Sequence, residues 1–150
     1  MAFLLATGVA MMMSISADSW RAVNDGVMGG ISSGGMVPSD DGMTFQGKLS
    51  MENNGGFASV RHLVTQDVSG TRGIRITFRG DGRDYQFRIR QDGRFDGVAW
   101  RQEFSTDGSV QSIDLSYTDF IPVWRGRLVR NAGDIDPAQI SQLGFLIADK

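Results

Sequence analysis

Hydrophobic and polar residues alternate along most of this chain with a period of two. Met43, Phe45, Leu49 and Met51 share one phase, with Gly47 between them. Ile74, Ile76 and Phe78 alternate with Arg75, Thr77 and Arg79, and Tyr85, Phe87 and Ile89 alternate with Gln86, Arg88 and Arg90. Val98, Trp100 and Phe104 stand against Ala99, Arg101 and Glu103. This pattern predicts half-buried strands with one face in water. The run from Leu143 to Ala148 is apolar in both phases and predicts a strand buried on both faces.

Turn residues separate these runs. Asn53-Asn54-Gly55-Gly56 reads as a hairpin turn, because Asn and Gly tolerate consecutive positions of positive φ. Gly80 to Asp84 and Gln91 to Arg94 punctuate the next strands in the same way. Asp136-Pro137 opens a helical segment of about two turns ending near Gln142, with an acidic N-cap and proline at the first position. Short strands with turns every ~8–12 residues predict an all-β fold, an antiparallel sandwich of jelly-roll type.

At 150 residues the chain makes one ordinary domain. Phe3 to Ile15 is nearly all apolar but too short to cross a bilayer, so no stable membrane insertion is expected. Residues 1–17 are expected to be a first strand, or alternatively a signal segment, with residues 18–150 forming the single sandwich domain. No Lys or Arg precedes Arg21, which argues against a signal peptide. The expected location is the cytoplasm of a bacterium, or outside it if residues 1–17 direct export.

Composition removes several chemistries. The absence of cysteine excludes disulfides, iron–sulfur ligation and thiol catalysis. The lone His62 reads as a surface or hydrogen-bonded imidazole rather than a metal ligand. Ser50 and Ser59 lack a nucleophile-elbow context, so no catalytic residue, metal or cofactor is assigned. Asn24-Asp25-Gly26-Val27-Met28-Gly29-Gly30 is not a phosphate loop, since no Gly-Lys-Ser/Thr follows it. Glu52, Asn53 and Asn54 could offer oxygens to calcium but lack the spacing of a calcium loop.

The net charge of −2 gives no general attraction to nucleic acid, yet residues 61–101 hold nine arginines against five aspartates. Arginine suits fixed bidentate contacts with carboxylates, phosphates or a protein partner. Arg75, Arg79, Arg88 and Arg90 oppose the apolar phase and are expected on one sheet face. The alternative is an internal ladder pairing them with Asp81, Asp84, Asp92 and Glu103. Phe78, Tyr85 and Phe87 lie in the core phase, leaving no aromatic platform for RNA.

Two dense blocks carry a resemblance. The first is Trp20-Arg21-Ala22-Val23-Asn24-Asp25-Gly26-Val27-Met28-Gly29-Gly30-Ile31-Ser32, and the second runs from Phe45-Gln46-Gly47 through Ser50, Glu52-Asn53-Asn54-Gly55-Gly56-Phe57-Ala58-Ser59-Val60-Arg61. They resemble the W-x-x-V-N-D-G-V-M-G-G-x-S and F-x-G-x-x-S-x-E-N-N-G-G-F-A-S-V-R blocks of the complex I intermediate-associated protein 30 family. Phe120 to Arg127 matches that family's F-x-P-x-(F/W)-R-G-R, and Leu143 to Lys150 is the last match. Family members usually continue into a further strand containing G-P-F. Here either the chain is truncated or Phe3 to Ile15 fills that edge.

The resemblance implies a galactose-binding-like β-sandwich and a non-enzymatic role. Eukaryotic members are assembly factors that bind intermediates of NADH:ubiquinone oxidoreductase. It therefore implies a protein partner, with respiratory-complex subunits the first candidates. A carbohydrate-binding module is the alternative, with a glycan as ligand. The candidate binding surface comprises Trp20, Asn24, Asp25, Asn53, Asn54, Arg61, Arg83, Trp124 and Arg125. Asn24, Asp25, Arg61, Arg83 and Arg125 are expected to line it together.

Overall fold

The computed structural model describes residues 2–7, 11–13, 16–24, 32–39, 42–50 and 56–148, the first two segments as backbone. Thirteen strands are described, every paired neighbour antiparallel. They are β1 (Ala2–Thr7), β2 (Met11–Met13), β3 (Trp20–Ala22), β4 (Ser33–Ser39), β5 (Gly42–Lys48), β6 (Phe57–Leu63) and β7 (Gly73–Arg79). β8 (Asp84–Arg90), β9 (Ala99–Ser105), β10 (Val110–Ser116), β11 (Ile121–Trp124), β12 (Arg127–Leu128) and β13 (Gln142–Ala148) follow.

A seven-stranded sheet runs in the order β12-β11-β9-β8-β13-β6-β3, and a four-stranded sheet in the order β10-β7-β1-β2. The chain is thus an antiparallel β-sandwich, with β4 and β5 forming a separate two-stranded sheet. The core forms where the apolar phases meet. Ile74, Ile76 and Phe78 of β7 and Leu115 of β10 cluster with Val60, Phe87, Ile89, Trp100, Leu143 and Phe145 of the larger sheet. Phe87 stands edge-on to Phe145 at 5.1 Å between ring centroids, a favoured aromatic geometry.

Most runs of alternation become the strands they predict, and β13 is buried from Gln142 to Leu146 as its two-faced apolarity requires. Four expectations are corrected. β5 pairs with β4, whereas β6 pairs with β3 and β13, so the Asn53–Gly56 segment does not join two partnered strands as a hairpin; residues 51–55 lie outside the described residues. The segment after Asp136 is one 3-10 turn, Pro137–Gln139, capped by the Asp136 side chain accepting from the Ala138 N–H. The opposite phase of β8 is not simply wet, since Arg90 is only 8% exposed. Arg75 and Arg79 lie on a different sheet from Arg88 and Arg90, because the turn after β7 carries the chain from one layer to the other.

One side chain ties the small sheet to the large one. Asn24 Oδ1 accepts the Ser59 N–H at 3.1 Å, and Asn24 Nδ2 donates to the Gly34 carbonyl at 3.2 Å. The Val23 N–H donates to the Ser59 carbonyl at 2.9 Å, and the Ser59 hydroxyl returns a bond to the Val23 carbonyl.

Candidate functional site

With Phe87, Ile89, Trp100, Val60 and Phe145 turned inward, the alternate residues of the same strands face the other way. There they line a cleft of about 780 Å³ on the outer side of the seven-stranded sheet, within the range of ligand sites. The register places one crosswise row on this face. Arg21 of β3 opposes Arg61 of β6, Arg61 opposes Gly144 of β13, Gly144 opposes Arg88 of β8, and Arg88 opposes Arg101 of β9. Gly144 supplies the hollow in this row. A Cβ there would come within 2.8 Å of the Val60 carbonyl oxygen, closer than carbon and oxygen tolerate. A glycine inside an otherwise apolar strand is the sequence signal for such a close approach.

The rim is built by the segment between β8 and β9 and by the turn between β11 and β12. Arg61 donates to the Phe95 carbonyl at 2.6 Å, with its guanidinium 4.9 Å from the centre of the Phe95 ring. Arg90 donates to the Gly97 carbonyl at 2.7 Å, and Gln142 Nε2 to the carbonyls of Asp92 and Arg94. Trp124 Nε1 reaches the Asp96 carbonyl, and Arg125 grips the Asp96 carboxylate through Nε and Nη2 at 3.0 and 2.6 Å. Arg125 also lies over the Trp124 ring at 4.7 Å. That residue holds a positive φ of 48°, beside Gly126 at 77°. Trp124 pairs with Arg127 across this two-residue turn, and left-handed central residues match the twist of a tight hairpin.

The electrostatics are one-sided. Arg61, Arg88, Arg90, Arg101 and Arg125 line the cleft against the single carboxylate Asp96. Burial, with repulsion from Arg90, Arg101 and Arg61, lowers Arg88 to about 10. Burial and repulsion from Arg90 lower Arg61 to about 10, against the pull of Asp96. Burial also lowers Arg90, with Asp92 and Asp96 opposing it. Arg88 bonds a neutral group, giving Nε and Nη2 to Gln86 Oε1 at 3.0 and 2.8 Å. Arg101 Nε is buried with no hydrogen-bond partner among the described residues. Arg101 reaches one carboxylate, Glu103, from Nη1 at 3.4 Å, whereas Arg88 has no ion-pair partner among the described residues.

Of the nine candidate residues, the structure brings Arg61, Trp124 and Arg125 to this rim. Arg83 is elsewhere, beside a smaller hollow with Asp81 and Tyr85, so the expectation of one shared surface is corrected there. Trp20 belongs to the core: it is 9% exposed and packs against Phe145 and His62, its β3 position facing inward. Asn24 gives both ends of its amide to backbone groups. Asp25, Asn53 and Asn54, and the calcium question raised with Glu52, lie outside the described residues. Among the described residues no group of His, Asp and Glu could hold a metal ion, and no helix is long and apolar enough to cross a membrane. His62 accepts or shares a proton with the Ser19 hydroxyl at 3.1 Å from Nδ1.

Arg101, Gly144, Gln86 and Asp96 were not singled out as site residues, and Arg88 and Arg90 were expected on an arginine face but not on the candidate surface. Arg88 and Arg101 carried a readable signal, since each sits in the polar phase of a predicted strand. Their juxtaposition needed the β8–β9 register.

In fold the chain is similar to the family 11 carbohydrate-binding module of a cellulosomal cellulase of Clostridium thermocellum, with a TM-score of 0.64 at 16% identity over 97% of this chain and 84% of that one. A second structure of the Clostridium thermocellum family 11 module, in complex with a β-1,3-1,4-mixed-linked tetrasaccharide, matches with a TM-score of 0.63 at 16% identity, covering 99% and 86%. Comparison with curated proteins gave no match. The profile of complex I intermediate-associated protein 30 matches residues 10–150. The chain belongs to the complex I intermediate-associated protein 30 family.

Proposed function

We propose that this domain is a non-catalytic binding module of the assembly-factor kind, and that it holds a protein partner in the cleft on the outer face of the seven-stranded sheet. The observation that carries this reading is the cleft itself, a preformed hollow lined by five arginines and one carboxylate. Family membership supports a role beside intermediates of complex I. No nucleophile–base pair lies among the residues lining the cleft, and arginines held as cations are poor proton shuttles.

The second reading is a carbohydrate ligand in the same cleft. It is favoured by the fold shared with a module solved with a mixed-linkage tetrasaccharide. Against it, the two rim aromatics, Phe95 and Trp124, each have an arginine over one face of the ring, which leaves at most the other face to stack on a sugar.

Site-specific photo-crosslinking separates these readings. A photoreactive residue at Phe95, on the rim, is expected to form adducts with subunits of NADH:ubiquinone oxidoreductase in the native host. The same probe at Ser112, exposed on the other sheet, is expected to form none. Adducts from Ser112 alone, or from neither position, would overturn the cleft as the partner site. Calorimetric binding of the mixed-linkage tetrasaccharide would favour the carbohydrate reading.

A further inference from the structure

Resting on that cleft as the binding surface, we infer that its occupant is an extended acidic segment of the partner polypeptide, with carboxylates on alternate residues that meet Arg61, Arg88 and Arg101 in turn. Three observations lead there. The first is charge. From Arg61 to Arg101 the row holds three guanidinium groups, and the described residues give Arg88 no carboxylate within ion-pair distance. Arg101 meets Glu103 through Nη1 alone, at 3.4 Å, and keeps a buried, unpartnered Nε. Like charges set side by side across strands oppose folding, so a ligand that supplies anions relieves an unfavourable arrangement already built in.

The second is spacing. Arg61 and Arg101 are three strands apart along the register through Gly144 and Arg88, or about 14 Å at the usual strand separation. An extended chain places residues i and i+4 about 13 Å apart on one face. A segment crossing the strands can therefore put carboxylates at i and i+4 over Arg61 and Arg101; Arg88, two strands or about 10 Å from Arg61, lies roughly 3 Å beyond the i+2 position, an offset its long side chain spans.

The third is shape. Gly144 puts no side chain into the middle of the row, and Leu146 and Val123 give the cleft apolar patches. Fixed guanidinium forks favour planar carboxylates over hydroxyls. A neutral sugar would leave the cations desolvated and unmatched.

The test uses the full chain and three probes in fluorescence anisotropy: a ten-residue peptide alternating Glu and Ala, its Gln–Ala counterpart, and an oligogalacturonate of equal charge. The Glu peptide is expected to bind at least about tenfold more tightly than the Gln peptide and to weaken steeply as salt rises. Arg88→Gln and Arg101→Gln are expected to remove that preference, whereas Arg75→Gln, on the other sheet, is expected to keep it. Arg88→Lys, which retains the charge, is expected to keep part of the affinity and controls for folding. Equal binding of the two peptides, tighter binding of oligogalacturonate, or an equal loss in Arg75→Gln would overturn the inference. If Arg88→Gln with Arg101→Gln leaves the Phe95 crosslinks intact, the acidic segment falls while the cleft stands. If Phe95 gives no crosslinks at all, the cleft itself falls.

Discussion

Arg88 on β8 and Arg101 on β9 are direct cross-strand neighbours. Opposed like charges destabilise a sheet, and Arg88 bonds only the neutral Gln86. Proteins keep such arrangements where binding needs them, at the expense of stability. Replacing Arg88 with glutamine is therefore expected to raise the melting temperature by about 2–4 °C, the shift that ~1 kcal/mol gives a domain of this size. Thermal denaturation at neutral pH checks it. The sign against pH follows from Arg88 lying near 10 in the fold, below its ordinary value in the unfolded chain. The folded state binds fewer protons between those values, so its stability rises there, and the gap between variant and wild type should narrow as pH climbs past about 10.

Asp96 anchors the rim from the other side. Its hydrogen bond with Arg125 holds the carboxyl below the ordinary value of 3.8. A carboxylate with a lowered folded pKa stabilises the native state above 3.8, and that contribution disappears as pH falls through the folded value. NMR titration of the Asp96 carboxyl should show it ionising below 3.8, and Arg125→Gln should bring it back towards that figure. Hydrogen exchange between residues 91 and 98 is expected to quicken in the same variant.

Much of this was legible in the residues, and the failures share a cause. Alternation revealed which residues of β7 and β8 face inward, because parity is a local property of a strand. It could not reveal that Arg75 and Arg88 occupy different sheets, since the chain changes layers at Gly80 to Asp84. The Asn53–Gly56 segment has the chemistry of a hairpin, but the identity of a strand's neighbour depends on the whole topology. Trp20 belongs to a dense family motif, and motif density does not distinguish a core plug from a contact surface. Arg61 and Arg125 were found because both lie in family motifs, which β6 and the turn between β11 and β12 carry to the cleft.

Gly144 offers a packing test. Valine there would press its side chain against the Val60 carbonyl, 2.8 Å from the new Cβ. Overpacking of this kind costs about 1–3 kcal/mol. Urea denaturation of Gly144→Val should show a lower midpoint with an unchanged slope. An unchanged midpoint would mean that β13 can shift away from β6.

His62 gives a stability profile of opposite origin. Burial lowers it from 6.5, with the Ser19 bond opposing. The neutral form is favoured in the fold, so the unfolded chain binds more protons just below 6.5 and stability falls as pH drops through that region. His62→Gln should flatten the slope of stability between about pH 5 and 7, measured by denaturant titration at several pH values.

Asn24, finally, determines how this domain can be approached. Its side-chain oxygen takes the Ser59 N–H that a neighbouring strand would otherwise use, and the Val23 N–H takes the Ser59 carbonyl. Beyond the three residues of β3, β6 thus offers no bare backbone groups at Ser59. At the far margin, β12 spans only Arg127–Leu128 and begins with a cation, and short charged margins resist pairing with other chains. The large sheet is thereby poorly suited to lengthening by a foreign strand. Two copies have little backbone with which to stitch themselves into a continuous ribbon, and a visitor must be gripped by side chains rather than woven into the ladder.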